Sequence, residues 1–528
     1  MLFFREALLL ECNLRRGNEP MTIQHKPGYH RLRPLIASLS LALVAGGAIA
    51  AGPVPAGAQL PGVVTNPEYP EKSNPADWSE ATPPVKTPAV AVTPPAEPTP
   101  PAEPAGALEA AKINPNNLTF MKDAGLIVGG WLQLGVTYNA GSPNNAFNGP
   151  VTFGDRSAEL QMNQLYFYLQ RAVATEGDSW DFGGRFDFMY GSDSIFTQAY
   201  GVPAYDVNNG MAMTRNHWDL NLLRNVNRFY DIALPQLYAE MYVPIGNGLD
   251  VKIGHFYTPI GYEVVTAPDN FFYSKPYTFQ YGEPFTHTGI LGSYTFDKNW
   301  SALGGVVTGS ATGGWDGGWD QQLGNWDGLG GVTWNTEDKA TSVFVSSTYG
   351  AISEHSSQTW ALYSIVLKHN LLDDLHFVMQ HDHGFANGVL VSNGNNGYTN
   401  KNAQWYGLNT YLFYDIQSNL TVGLRGEWFR DQDGFRVCSP GRVAAATNDS
   451  YGIPVSSASS TLCNANSGAS WYAFTAGLTY KPVKWLTLRP NVRYDWVDGK
   501  DTAGFAYKPF GNGKDAQFLF SSDVVIVF

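Results

Sequence analysis

From Leu126 onward, polar and apolar residues alternate with a period of two over segments of about ten residues, the pattern of strands whose successive side chains point to opposite faces. Sixteen such segments recur, at 126–138, 161–172, 180–190, 235–244, 249–258, 287–297, 300–310, 327–336, 340–350, 359–369, 374–384, 403–415, 419–430, 470–481, 485–496 and 517–528. In the last of these, Phe518, Phe520, Val524, Ile526 and Phe528 share one side, while Gln517, Ser521 and Asp523 share the other. Elsewhere Phe182, Phe186 and Phe188 oppose Arg185 and Asp187. Val422, Leu424 and Trp428 oppose Arg425 and Glu427, and Leu488, Val492, Tyr494 and Trp496 oppose Arg489, Asn491, Arg493 and Asp495.

The connectors alternate as well. Short ones (244–248, 297–299, 369–374, 415–419, 481–485) interleave with long ones (191–234, 259–286, 311–326, 385–402, 431–469, 497–516). Short periplasmic turns and long external loops are the expected asymmetry of an all-β fold: a transmembrane antiparallel up-and-down β-barrel of about sixteen strands. An even strand number leaves both ends of the barrel on the periplasmic side. A soluble β-sandwich or propeller gives no reason for that alternation. The apolar faces then meet lipid and the polar faces line the lumen, placing Arg185, Asp187, Glu240, Lys252, Arg425, Glu427, Arg489, Arg493, Asp495 and Asp523 inside, five of each sign. Trp131, Tyr138, Trp300, Trp334, Trp405, Trp471, Trp485 and Trp496 fall near strand ends and are expected at the membrane interfaces.

Composition agrees with a lipid-facing sheet. Charged residues make up 15% of the 528, below the roughly 25% of soluble domains, while aromatic residues reach 14%. The N-terminal region departs from the alternating pattern. Lys26, Arg31 and Arg33 precede an apolar run from Leu35 to Ala45, with Ala48-Ile49-Ala50 as a cleavage candidate, so residues 1–50 read as a signal peptide whose true start is open to Met21. The apolar run is too short for a helical anchor. Fifteen of the 33 prolines lie between Pro53 and Pro104, so residues 51–116 read as an extended, disordered Pro/Ala-rich periplasmic linker, with a short helix over 105–113. The linker is expected to be a plain flexible leader, with a periplasmic spacer or a cell-wall contact as the functional alternatives. The barrel occupies 117–528. Taking the six basic and three acidic side chains of residues 1–50 from totals of 33 and 46 leaves 27 against 43, a net charge of −16, which speaks against nucleic acid as a partner.

The connector 259–286 is long, aromatic and stiffened by Pro259, Pro268, Pro276 and Pro284. It is expected either to fold inward and narrow the lumen, or to pack on the rim or on a neighbouring subunit. In the first case Glu263, Asp269 and Glu283 against Lys275 alone tip a balanced wall toward cations. The surrounding run, Gly254 to Glu263 followed by Asn270, Ser274 and Pro284 to Gly289, resembles the putative β-barrel porin-2 (OmpL-like) family, loosely over residues 118–528. The resemblance implies an outer-membrane barrel passing small solutes, and it offers no catalytic residues to carry over.

Cys438 and Cys463 share one long external loop and are expected to form a disulfide on an oxidising side of the membrane. His381 and His383 share a face without a visible third ligand, so no metal site is assigned. A Gly-x-Trp-Asp unit repeats at 313–316, 317–320 and 324–327, suited to sugar or calcium or simply to loop folding. None of the common hydrolase, zinc-protease or phosphate-loop motifs occurs, and no cofactor is expected. The function expected is passive diffusion of small hydrophilic solutes or ions across a Gram-negative outer membrane. The alternatives are a structural or adhesive surface barrel acting through its loops, or a barrel hydrolase. Expected partners are outer-membrane lipid and the barrel-assembly machinery through Phe528, with a homotrimer open as the assembly.

Overall fold

The structure, a computed structural model, describes residues 105–528 other than 145, 175–176, 199–203, 206–211, 214–229, 309–325, 352–358, 393–397, 438–464 and 502. The signal peptide, most of the linker, Cys438, Cys463 and all but the end of the Gly-x-Trp-Asp repeats lie outside the described residues.

Two short helices, α1 (Ala107–Ala110) and α2 (Thr119–Ala124), precede the sheet. The strands that follow are β1 (Ile127–Asn139), β2 (Leu160–Arg171), β3 (Asp181–Gly191), β4 (231–243), β5 (Leu249–Tyr257), β6 (Thr286–Thr295), β7 (Trp300–Thr308) and β8 (Trp326–Asn335). They continue as β9 (Thr341–Ala351), β10 (Thr359–Leu372), β11 (Leu375–Ser392), β12 (Tyr398–Gln417), β13 (Leu420–Asp431), β14 (Ala465–Val483), β15 (486–501) and β16 (Ala516–Val527). Two strands are interrupted. In β4 the ladder breaks between Ala233 and Leu237, and in β15 between Leu488 and Asn491, where Pro490 has no N–H to give.

Each strand pairs antiparallel with its neighbours in sequence, and β16 returns to β1 with Trp131 opposite Val527 and Asn139 opposite Leu519. The sheet is therefore a closed barrel of 16 strands without a free edge. Local chemistry sets the tight ends. Between β4 and β5, Gly246 and Gly248 take the positive φ values of +61° and +94° that the turn needs. Between β6 and β7, Asp297 Oδ1 accepts the N–H groups of Asn299 and Trp300 at 2.7 and 2.8 Å.

The faces separate as the alternation requires. Leu424, Phe474 and Tyr494 are 43%, 48% and 44% exposed, while their strand neighbours Arg425, Thr475 and Arg493 are fully buried. Two expectations are corrected. Trp131, Trp405 and Trp471 are not interfacial: they are buried on the inner face, where Trp131 stacks on Tyr166, Trp405 packs on Trp360 and Trp471 on Tyr277. Most of 385–402 is not a loop, because β11 runs on to Ser392 and β12 begins at Tyr398.

Candidate functional site

The barrel interior is organised around the connector 258–285, which leaves the external end of β5 and turns inward. Nearly all of its side chains are buried, including Ile260, Tyr262, Phe271, Phe272, Tyr273, Tyr277, Phe279 and Tyr281. Its four prolines reduce the number of backbone N–H groups that must find partners inside. At its tip Asn270 acts as a staple. Its Oδ1 accepts the Val264 N–H at 2.9 Å, and its Nδ2 donates to the Val264 carbonyl at 3.0 Å. The wall makes room by omitting side chains: a β-carbon at Gly407 would lie 2.5 Å from Thr278 Oγ1, and one at Gly423 2.4 Å from the Phe271 ring.

Three wall arginines hold this connector largely by its backbone. Arg425 donates from Nη1 to Glu263 Oε1 at 2.7 Å and to the Ser274 carbonyl at 2.8 Å, and from Nε to Glu427 Oε1 at 2.8 Å. Arg493 donates to Asp495 at 2.7 Å, to Glu427 at 3.1 Å and to the Lys275 carbonyl at 2.8 Å. Arg489, paired with Asp523, reaches the carbonyls of Ala267 and Asn270, both at 2.6 Å. Tyr277 closes the arrangement, its N–H on Glu427 at 3.0 Å and its hydroxyl donating to Asp495 at 2.8 Å.

Lys275 lies 3.8 Å from Glu263 and donates to the Val264 carbonyl at 2.7 Å. Burial pushes its ammonium down to about 8 against the opposing pull of Glu263. The layer formed by Arg425, Arg493 and Lys275 with Glu263, Glu427 and Asp495 thus holds three charges of each sign. Charge-assisted bonds in so dry a setting are strong and costly to break one partner at a time.

The other residues singled out from the sequence are also placed. Asp187 accepts from Arg185 Nε at 2.7 Å, from Gln236 at 2.9 Å and from the Tyr166 hydroxyl. Lys252 and Glu240 face each other across β5 and β4 at 3.8 Å. Glu283 is buried and accepts from Gln380, whereas Asp269 is the exposed acid of the connector. His381 and His383 point outward against Tyr363, away from the lumen. Among the described residues no group of three or more His, Cys, Asp or Glu is placed to hold a metal, and no helix is long and apolar enough to cross a membrane. That the wall arginines clamp the connector is not legible in the sequence, since a carbonyl acceptor leaves no mark there.

The chain is similar in structure to OmpT of Vibrio cholerae (8% identity, TM-score 0.43, covering 76% of this chain and 97% of that one). It is similar to the outer membrane channel DcaP of Acinetobacter baumannii (12%, 0.43, 76% and 97%) and to an anion-selective porin from Comamonas acidovorans (9%, 0.44, 76% and 99%). Among curated proteins nothing matches. A family model does: residues 125–528 match the one described as putative beta-barrel porin-2, OmpL-like. With most of its length and its whole barrel so matched, the chain belongs to that family of outer-membrane porins.

Proposed function

We propose that this barrel lets small hydrophilic solutes or ions diffuse across the outer membrane, and that the connector 258–285 sets the narrowest passage, with Glu263, Asp269, Glu283 and Lys275 as its charged groups. The observation that carries the reading is the inward fold of the connector, held by Arg425 of β13 and by Arg489 and Arg493 of β15. A barrel built only as a scaffold for external loops has no need of a charged brace across its lumen. The acids of the connector outnumber Lys275, so a mild preference for cations follows. Residues 1–50 act as the export signal, 51–116 as the periplasmic linker, and Phe528 presents the residue that the assembly machinery engages.

A second reading rests on the same packing. Arg425, Arg493 and Asp495 are fully buried, and on this reading the lumen is closed at their level and the external loops do the work. Swelling of liposomes holding the refolded protein, in uncharged sugars of graded size, separates the two. Size-dependent swelling supports the channel, and vesicles that stay osmotically tight support the surface barrel.

A further inference from the structure

The seam between β16 and β1 is completed from outside the sheet. Its last rung on the periplasmic side joins Gly130 and Phe528, whose N–H groups donate to each other's carbonyls at 3.0 and 2.9 Å. Strand geometry turns every second residue of β1 toward the seam, so the next rung falls at Val128. There the described residues of β16 give no pairing. Instead Asn116 does: its Oδ1 accepts the Val128 N–H at 2.8 Å, and its Nδ2 donates to the Val128 carbonyl at 2.9 Å. One side-chain amide, with its donor and acceptor side by side, reproduces what a paired peptide unit would offer.

The placement of Asn116 is prepared by its surroundings. Asn114 Oδ1 accepts the Asn116 N–H at 2.9 Å, and Pro115 opens the single 3-10 turn that carries Asn116. Helix α2 then buries Met121 and ends at Gly125, whose φ of +63° permits the reversal into β1. On the other flank α1 begins beside Phe528: a β-carbon on Gly106 would stand 3.2 Å from the Phe528 Cα. The ring of Phe528 meets Phe167 of β2 at 5.4 Å. Residues 105–126 therefore touch both sides of the seam.

We propose that residues 105–126 are a clasp that locks the closed barrel, with Asn116 occupying the edge of β1 that another extended chain would otherwise pair with. An unpaired strand edge is an invitation to β-augmentation, and the clasp fills it from within the same chain. It also ties the linker to the seam, so that the junction ordered last in closing a barrel is covered by the segment that precedes it.

The test uses the full mature chain in lipid or detergent. Amide exchange read at residue resolution should find Val128 as protected as Gly130 in the wild type. In Asn116→Ala that protection should be lost at Val128 while Leu132, paired with Ile526, keeps its own. The variant should also open about tenfold faster in urea, the cost of one lost hydrogen-bonding partner at a part-buried strand edge. Asn116→Asp, which keeps the acceptor but sets a carboxylate against the Val128 carbonyl, should lie between. Free exchange of Val128 in the wild type, or unchanged protection in Asn116→Ala, would overturn the proposal, and the wild-type measurement decides even if a variant fails to fold.

Discussion

Replacing Arg425 with Met keeps most of the side-chain volume but removes five hydrogen bonds, to Glu263, Glu427, the Ser274 carbonyl and hydroxyl, and Thr475. Glu427 keeps Arg493 and the Tyr277 N–H. Glu263 keeps the 3.2 Å bond from the Tyr411 hydroxyl and the 3.8 Å contact with Lys275. Removing one member of a buried ion pair costs about 3–5 kcal/mol, because the remaining charge loses its strongest compensation. Adding Glu263→Gln relieves that charge, so the double variant should lie only about 1–2 kcal/mol below wild type, the net worth of the lost neutral hydrogen bonds. With Glu263→Gln alone close to neutral, because Arg425 keeps Glu427, the coupling between the two sites is about 2–3 kcal/mol. Urea unfolding in lipid vesicles, followed by tryptophan fluorescence, measures all four corners of the cycle. The reasoning fails if Arg425→Met unfolds within about 0.5 kcal/mol of wild type, or if the double variant shows the simple sum of the single effects.

Four further outcomes are expected. Because burial holds the Lys275 ammonium down to about 8 from its ordinary 10.5, the connector loses a positive charge as pH rises through that value. Cation preference from reversal potentials should therefore grow between pH 7 and 9, and Lys275→Met should flatten the profile. The unfolded chain still binds that proton up to about 10.5, so stability should also rise with pH over this window. Asp269→Asn should reduce cation preference more than Glu263→Gln, since Asp269 is exposed and the charge of Glu263 is compensated by Arg425; equal effects would count against the assigned geometry. Thiol labelling of unreduced, denatured mature protein should find neither Cys438 nor Cys463 reactive.

The strands were legible because a bilayer imposes a strict rule: lipid on one side, polar lumen on the other, and a period of two between them. The rule weakened where its premise did. Trp131, Trp405 and Trp471 were misplaced because an inward-folded connector turns part of the lumen into a packed core, where apolar residues face inside as readily as outside. The extensions of β11 and β12 are not legible as strand in the sequence, because strands continuing beyond the apolar band need no apolar face. The charged wall residues were found, but not their work. Arg425, Arg489 and Arg493 act on main-chain carbonyls of Ser274, Lys275, Ala267 and Asn270, and any residue type supplies a carbonyl. Asn116 was missed for a related reason, since its partner is the backbone of Val128.

The central claim is that the connector 258–285 sets the passage through a conducting barrel. Single-channel recording in planar bilayers tests it most directly, comparing wild type with a variant in which residues 262–281 are replaced by a short Gly-Ser link. Discrete conductance steps in the wild type, enlarged in the variant, are the predicted result. A correctly folded wild-type barrel without conductance, or equal steps in both proteins, would contradict it.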